Sequence, residues 1–328
     1  MKLLVTGGAG YIGSHVTRQL GEAGHEVVVF DNLSTGKAHA VIGAELVVGD
    51  LADGALLDAL FARHAFDAVL HFAASIVVPE SVADPLKYYA NNTRNMINLL
   101  ERVEHHGTPH FVFSSTAAVY GVPDVERVDE QTPLAPINPY GASKMMSERI
   151  LADLSRAHPA LRHVALRYFN VAGADPEARI GQETPEATHL IKVACQAALG
   201  QRDGVDIFGT DYATPDGTCI RDYIHVEDLA RAHLDALEYL VAGGESTVLN
   251  CGYGRGASVR EVLDVAQRVS GMDFPLREAG RRAGDPPRLV AANERIREVL
   301  GWQPRLDKLE TIVAHAWAWE QRLAGRPL

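Results

Sequence analysis

Cysteine is scarce in this 328-residue chain, with only Cys195, Cys219 and Cys251 present. Their odd number, wide spacing and lack of a CxxC pair exclude a disulfide scaffold and argue against a metal site. They predict buried apolar thiols in a reducing, cytoplasmic setting. Positive charge is also short, since 31 Lys and Arg face 42 Asp and Glu for a formal net charge of -11. That balance argues against nucleic acid or an anionic membrane as the main partner, and a phosphate-bearing ligand would depend on locally placed arginines. Long apolar runs are missing too. Residues 1–5 meet Gly7, Gly8 and Gly10 before a signal-peptide core can form, and no later run approaches the length of a membrane span. The sequence also lacks internal repeats, low-complexity tracts and an obvious flexible linker.

What is present is 47% apolar and 22% charged, enough for a large core in a soluble globular protein. From residue 2 to about 168, short β-branched runs alternate with helical patterns. Strand candidates lie at 3–5, 27–30, 46–48, 69–72, 111–113 and 164–166, and helix candidates near 11–23, 53–63, 84–105 and 139–157. Continuous apolar runs of this length suit strands buried on both faces. Their alternation with helices predicts a doubly wound parallel α/β sheet whose ligands bind at the carboxyl ends of the strands.

Beyond residue 170, Gly and Pro frame shorter elements that read as a smaller C-terminal α/β substrate-binding lobe. Strand-like 205–208 and 248–250, a helix over 227–240, a capping box at Ser258 and Glu261, and a final helix over 307–323 fall there. Trp317 and Trp319 on that last helix are expected to pack. The expected division is a cofactor domain over 1–172 and a substrate lobe over 173–328, with interleaving allowed.

Gly7, Gly10 and Gly13 form G-x-x-G-x-x-G between a strand and a helix. Such a turn allows close backbone approach and sets phosphates at the positive helix end. Asp31, eighteen residues after Gly13, closes the second strand. A carboxylate there can accept from ribose hydroxyls and would repel a 2′-phosphate, which favours NAD over NADP. Asp50 closes the third strand and suits an adenine contact, and Phe72, Ala73 and Ala74 close the fourth. For each of these an ordinary loop or packing role stands as the alternative.

Tyr140 and Lys144 lie in Asn138-Pro139-Tyr140-Gly141-Ala142-Ser143-Lys144. Four residues apart on a helix, they sit about 6 Å apart along one face, so the ammonium is expected to draw the phenol pKa toward working pH. Pro139 suits the first helical turn, which puts Tyr140 near a positive helix end. Ser114, Ser115 and Thr116 are expected just after the fifth strand, at the same sheet edge as the glycine turn.

With these motifs in place, the chain resembles the extended short-chain dehydrogenase/reductase family and, within it, the UDP-sugar 4-epimerases. The likeness runs through 6–15, 31–33, 71–74, 113–121, 140–144, 166–170 and 217–226, nearly the whole length. It implies a Rossmann-like fold, NAD as cofactor, a UDP-sugar as substrate and a homodimer built on helices near 84–105 and 139–157. The implied reaction is reversible 4-epimerisation of UDP-glucose and UDP-galactose through a bound 4-keto sugar. UDP-N-acetylhexosamines, UDP-pentoses or UDP-uronates are the alternative substrates. A dehydratase is disfavoured because Ala117 and Ala118 follow Thr116 where that group places an acid/base pair.

The resemblance makes Tyr140 the base, Lys144 its tuning partner and nicotinamide-ribose contact, and Thr116 the hydroxyl that often is a serine. It adds Tyr11, Ile12, Asn32, Leu51, Asn91, Ser114 and Phe169 to the cofactor site. On the substrate side it implies Asn170, His189, Phe208, Arg221, Tyr223, Arg282 and Asp285, with the two arginines on the diphosphate. Three positions depart from common family patterns. Ile76 replaces a lysine, His189 replaces an asparagine, and Leu289 occupies a site whose side-chain size bears on N-acetylated sugars.

Overall fold

The structure, a computed structural model, describes residues 1–184, 187–282 and 285–325. Strands form where the β-branched runs were expected: β1 (Lys2–Thr6), β2 (Glu26–Asp31), β3 (Glu45–Val48), β4 (Ala68–His71), β5 (His110–Thr116) and β6 (Arg162–Tyr168). Later in the chain come β7 (Asn170–Ala172), β8 (Val205–Phe208), β9 (Ile220–His225), β10 (Thr247–Cys251), β11 (Gly256–Ser258), β12 (Leu276–Ala279) and β13 (Arg288–Leu289). The helices are α1 (Tyr11–Glu22), α2 (Gly54–Arg63), α3 (Val78–Ala83), α4 (Pro85–Tyr88), α5 (Asn95–His105) and α6 (Pro139–Ala157). They continue with α7 (Leu190–Ala198), α8 (Val226–Val241), α9 (Val259–Ser270), α10 (Glu294–Leu300) and α11 (Leu309–Leu323).

The main sheet has seven parallel strands in the order β10-β6-β5-β4-β1-β2-β3. Strand order reverses at β1, so a crevice opens beyond the carboxyl ends of β1 and β4, where this class of sheet binds ligands. Alternation along each strand divides the core. Leu3, Val5, Val27, Val29 and Val112 face α1 and α8, whereas Leu4, Val28, Phe30, Phe111 and Phe113 face α2, α5 and α6. The smaller lobe centres on β9, which pairs with β7, β11 and β13, while β8 and β12 form a separate pair.

Three elements differ from the sequence expectation. The 248–250 run does not belong to the smaller lobe's sheets; as β10 it extends the main sheet beside β6, burying Leu249, Asn250 and Cys251. The helix expected over 84–105 is present and runs on without a gap from Pro85 to His105, but it is not α-helical throughout. Asp84 caps the Lys87 amide and Pro85 starts α4, after which Tyr89–Arg94 forms a π-helical turn before α5 resumes. Ser114, Ser115 and Thr116 are the last residues of β5 itself, paired with Leu166, Arg167 and Tyr168 of β6. Other expectations hold: the Ser258–Glu261 capping box is formed, all three cysteines are buried and free, and Trp319 is buried in packing. Among the described residues no helix is long and apolar enough to cross a membrane.

A buried polar chain fastens α6 to the sheet. Glu148 accepts hydrogen bonds from Ser115 and from Arg167, whose Nε and Nη2 approach at 2.9 and 2.6 Å. Arg167 also donates to the Tyr120 hydroxyl (3.0 Å), which donates to Asn250 Oδ1 (2.7 Å). Removing one partner would strand a buried charge. Glu148→Ala should therefore lower the unfolding free energy by about 3–5 kcal/mol, read as a reduced urea midpoint. An unchanged midpoint would show that the pair contributes nothing.

Candidate active site

The turn after β1 is shaped by what its glycines permit. Gly7 has φ +73°, and a Cβ there would lie 2.5 Å from the Ala73 amide nitrogen. A Cβ on Gly13 would lie 2.2 Å from the Gly7 carbonyl oxygen, so that glycine lets α1 sit close to the strand. Gly10 is different, because within the protein its Cβ would meet only the Gly7 oxygen, at 3.3 Å. The N-terminus of α1 has no side-chain cap and no acid in its first turn. An open turn of backbone amides at a helix start fits a dinucleotide diphosphate.

Asp31 stands beside this turn. Its two carboxylate oxygens accept from the amides of Ala9 (2.9 Å) and Leu33 (2.8 Å), leaving further lone pairs for hydroxyl donors. Asn32 donates to Asp50 (2.8 Å), so these two polar residues meet across β2 and β3. Leu51 is buried next to them, its carbonyl held by Asn98. Phe72 and Ala73 both donate their amides to the Thr6 carbonyl, which draws the end of β4 against the glycine turn. The Phe72 ring packs 4.8 Å from His233.

Tyr140 occupies the first turn of α6, where Asn138 caps the Gly141 amide at 2.9 Å. Lys144 lies one turn later and is buried. Its ammonium donates to the Ser114 carbonyl at 2.8 Å and lies 4.9 Å from the Phe113 ring centroid. Thr116 caps the short 3-10 turn that follows β5 by accepting from the Ala118 amide (3.1 Å). Ser114 shares a short hydrogen bond with Tyr168.

The electrostatics correct one expectation. Burial pushes the Tyr140 phenol up, with the Thr116 side chain acting in the opposite direction. Burial pulls the Lys144 ammonium down to about 7, with Glu148 opposing. The Lys144 charge is felt instead by His71, which burial first and Lys144 second hold near 3. For the buried Lys144, desolvation outweighs the attraction assumed from helical spacing, and the half-buried Tyr140 phenol is displaced toward its neutral form as well. The phenolate and ammonium are not preset by this pair alone.

Of the substrate-side candidates, Asn170, Arg221, Tyr223 and Asp285 lie on or beside β9, whereas Phe208 and Arg282 meet at the end of β8. Arg221 approaches Asp285 at 3.5 Å, and Arg282 lies 4.2 Å over the Phe208 ring. Asn170 pairs with Tyr223 in the β7–β9 register, and Tyr223 is buried. Leu289 stands opposite Arg221 in the β13–β9 pairing. His189, just before α7, is held by Gln182 at 2.8 Å. Ile76 is exposed, and the Phe169 side chain packs with Ala117, Val119 and Tyr120 beneath the Thr116 turn.

Sequence reading missed the junction made by Asn92. From the π-helical turn, Asn92 accepts from the Ser75 amide (2.8 Å) and donates to the Ser75 carbonyl (2.9 Å) and Ser143 hydroxyl (3.0 Å). Ser143 in turn donates to the Tyr140 carbonyl (2.7 Å), and Asn91 donates to Ser75 Oγ (2.9 Å). The β4 loop and α6 are thereby tied together. The available signal was the Asn91-Asn92 pair inside an otherwise helical stretch, a place where polar side chains compete with helical bonding.

Known proteins resemble this chain in sequence and in fold. The family described as NAD dependent epimerase/dehydratase matches residues 3–252. The UDP-glucose 4-epimerase of Azospirillum brasilense is 59% identical over 323 residues, covering 98% of this chain and 92% of the relative. The crystal structure of UDP-glucose 4-epimerase from Brucella ovis, in complex with NAD, aligns with a TM-score of 0.94 at 46% identity, over 96% of this chain and 97% of that one. The UDP-Glc/GlcNAc 4-epimerase of Campylobacter jejuni aligns with a TM-score of 0.87 at 52% identity, over 98% and 99%. On sequence identity across nearly its full length and on the match to the family pattern, the chain belongs to the NAD dependent epimerase/dehydratase family.

Proposed function

We propose that this protein is an NAD-dependent isomerase that interconverts UDP-glucose and UDP-galactose at C4. The observation that carries this reading is the meeting of Tyr140, Lys144 and Thr116 at the end of β5 and the start of α6, on the sheet edge that bears the glycine turn. Tyr140 Oη takes the proton of the sugar 4-hydroxyl, and the Thr116 hydroxyl helps hold that oxygen. NAD, when bound, accepts the C4 hydride and returns it to the opposite face of the resulting 4-keto sugar. Lys144 would donate to the nicotinamide ribose and, when protonated, would set positive charge beside the base. Gly7, Gly10, Tyr11, Ile12 and Gly13 receive the diphosphate of the cofactor, and Asp31 its adenosine ribose.

Arg221 and Arg282 bind the UDP diphosphate, with Asp285 at the uridine ribose and Phe208 at uracil. Holding the nucleotide while the keto sugar turns lets one site serve both configurations. Residues 1–172 act as the cofactor domain and 173–328 as the UDP-sugar lobe, β10 crossing into the former's sheet. A homodimer through α3 to α6 is supported by the exposed Val82, Leu86, Ile97 and Met146. A second reading, with UDP-N-acetylhexosamines as additional substrates, is supported by the dual specificity of the Campylobacter relative, while Leu289 beside Arg221 leaves the choice open.

Purified protein given UDP-galactose should form UDP-glucose with no net change in NAD redox state. Conversion confined to N-acetylated UDP-sugars would move the assignment to the second reading, and no conversion of any UDP-sugar would reject both. Tyr140→Phe should cut turnover by about 10²–10⁴-fold while NAD stays bound, since it removes the proton acceptor and keeps the ring. Near-normal turnover in that variant would reject Tyr140 as the base.

Lys144 yields a pH test. Its pKa falls from 10.5 to about 7 on folding, so between those values the unfolded chain binds more protons and stability rises with pH. Below about pH 7 the full cost of burying the ammonium is present. With NAD removed, Lys144→Met should be more stable than the parent at pH 6, and the difference should shrink toward pH 10. A stability difference that does not vary with pH would contradict the depressed ammonium.

A further inference from the structure

Helix α1 contributes the open amides of the glycine turn, so its orientation decides where a diphosphate can sit. Val16 and Leu20 pack it on the sheet. Apolar packing is non-directional and leaves rotation about the helix axis weakly specified. The directional contacts come from the far half of the chain. Glu227, in the first turn of α8, accepts from three α1 side chains on one helical face: His15 Nδ1, Arg18 Nη2 (2.5 Å) and Gln19 Nε2 (2.6 Å). Gln19 also donates to the Glu227 carbonyl at 3.1 Å.

At the start of α1, the Tyr11 hydroxyl donates to the Gly173 carbonyl at 2.7 Å. Arg18 has other acidic neighbours, Glu22 at 2.6 Å and Asp175 at 3.7 Å. Burial would raise the Glu227 carboxyl, yet His15, Arg18 and Gln19 together hold it down near 2. It therefore stays a full acceptor across the neutral range. His15, Arg18 and Gln19, the three donors to Glu227, lie outside the set that touches cofactor or substrate in the reading above, whereas Tyr11 belongs to it.

We propose that Glu227 is a positioning residue for the cofactor: by fixing the rotation of α1 through three donors, it keeps the glycine-turn amides aimed at the NAD diphosphate and so retains NAD through the reaction cycle. This rests on the NAD-dependent reading of the site. The Glu227 carboxylate lies two residues past the end of β9, the strand that carries Arg221. The same residue thus joins the cofactor helix to the element behind the substrate clamp.

The test compares NAD-loaded wild type with Glu227→Gln, which keeps the shape while Glu22 and Asp175 still balance Arg18. Bound NAD is quantified after timed gel filtration, and turnover is measured with and without added NAD. Glu227→Gln should lose NAD about ten-fold faster, the scale expected for weakening a charge-assisted hydrogen-bond set. Saturating NAD should restore its kcat, so that the defect lies in the KM for NAD. Gln19→Ala, which leaves every charge in place, should shift NAD release in the same direction by a smaller factor and serves if Glu227→Gln does not fold.

NAD release unchanged in both folded variants would overturn the proposal. So would a kcat that saturating NAD does not restore, because a general structural lesion would behave that way. Wild-type protein that neither carries nor takes up NAD would overturn the functional reading together with this one. Wild type that binds NAD but converts no UDP-sugar would reject the proposed reaction while leaving the release measurement to decide on Glu227.

Discussion

The buried Lys144 ammonium is the constraint around which the site is arranged. A charge with little access to water needs a fixed acceptor, and Lys144 finds one in the Ser114 carbonyl at 2.8 Å. That contact sets α6 at a defined height above the end of β5, and with it the Tyr140 phenol one turn earlier. Glu148, one turn later, does the complementary work by joining α6 to Ser115 and Arg167. Two charges of opposite sign on one helix thus dock it to adjacent residues of the same strand, while the Asn92 junction ties its first turn to the loop after β4.

The cost of this arrangement is visible in the acid–base behaviour. Burial pushes Tyr140 and Lys144 toward their neutral forms. A base whose ionised form is suppressed by its surroundings must gain that form from other charges that arrive with its ligands. In the proposed reaction the positively charged nicotinamide ring is such a charge. The phenol would then ionise most readily with oxidised cofactor bound, so that its proton-accepting form would accompany the hydride acceptor. Charge elsewhere follows the same local logic. An acidic chain of net charge -11 still places Arg221, Arg281 and Arg282 together around β9 and the segment before β13, each beside an aromatic ring or a carboxylate.

Much of the fold was legible because its signals are short-range. Buried parallel strands read as apolar runs, and the glycine turn, Asp31 and the Ser258–Glu261 capping box each depend on residues close in sequence. Three kinds of feature escaped. The place of β10 in the main sheet depends on pairing with β6, some eighty residues earlier, and its apolar run fits either lobe. The π-helical turn within the 84–105 helix goes with Asn92 bonding Ser75 and Ser143, neither of which its own helical neighbourhood reveals. The direction of the Tyr140 and Lys144 shifts depends on burial, whereas spacing along a helix reports only how near two groups can come. Of the candidate site, the residues at strand ends were read from pattern, whereas the proposed clamp around Arg221 and Arg282 rests on family resemblance, since an arginine in a loop looks alike in solvent and on a phosphate.

The same distinction separates the two ways in which the halves of the chain are joined. Apolar packing between α1 and α8 brings them together, and many sequences would supply it. Relative rotation needs directional bonds, and three of those here meet on the Glu227 carboxylate, beside the Tyr11 bond to Gly173. A reaction that returns hydride to the opposite face of its own intermediate requires the hydride carrier to stay in register with a sugar that turns. Looseness belongs to the sugar and must be withheld from the cofactor helix. A three-donor buried acceptor between that helix and the strand carrying Arg221 is a physical means by which, in the proposed reaction, the two nucleotides would stay fixed relative to one another while the hexose moves.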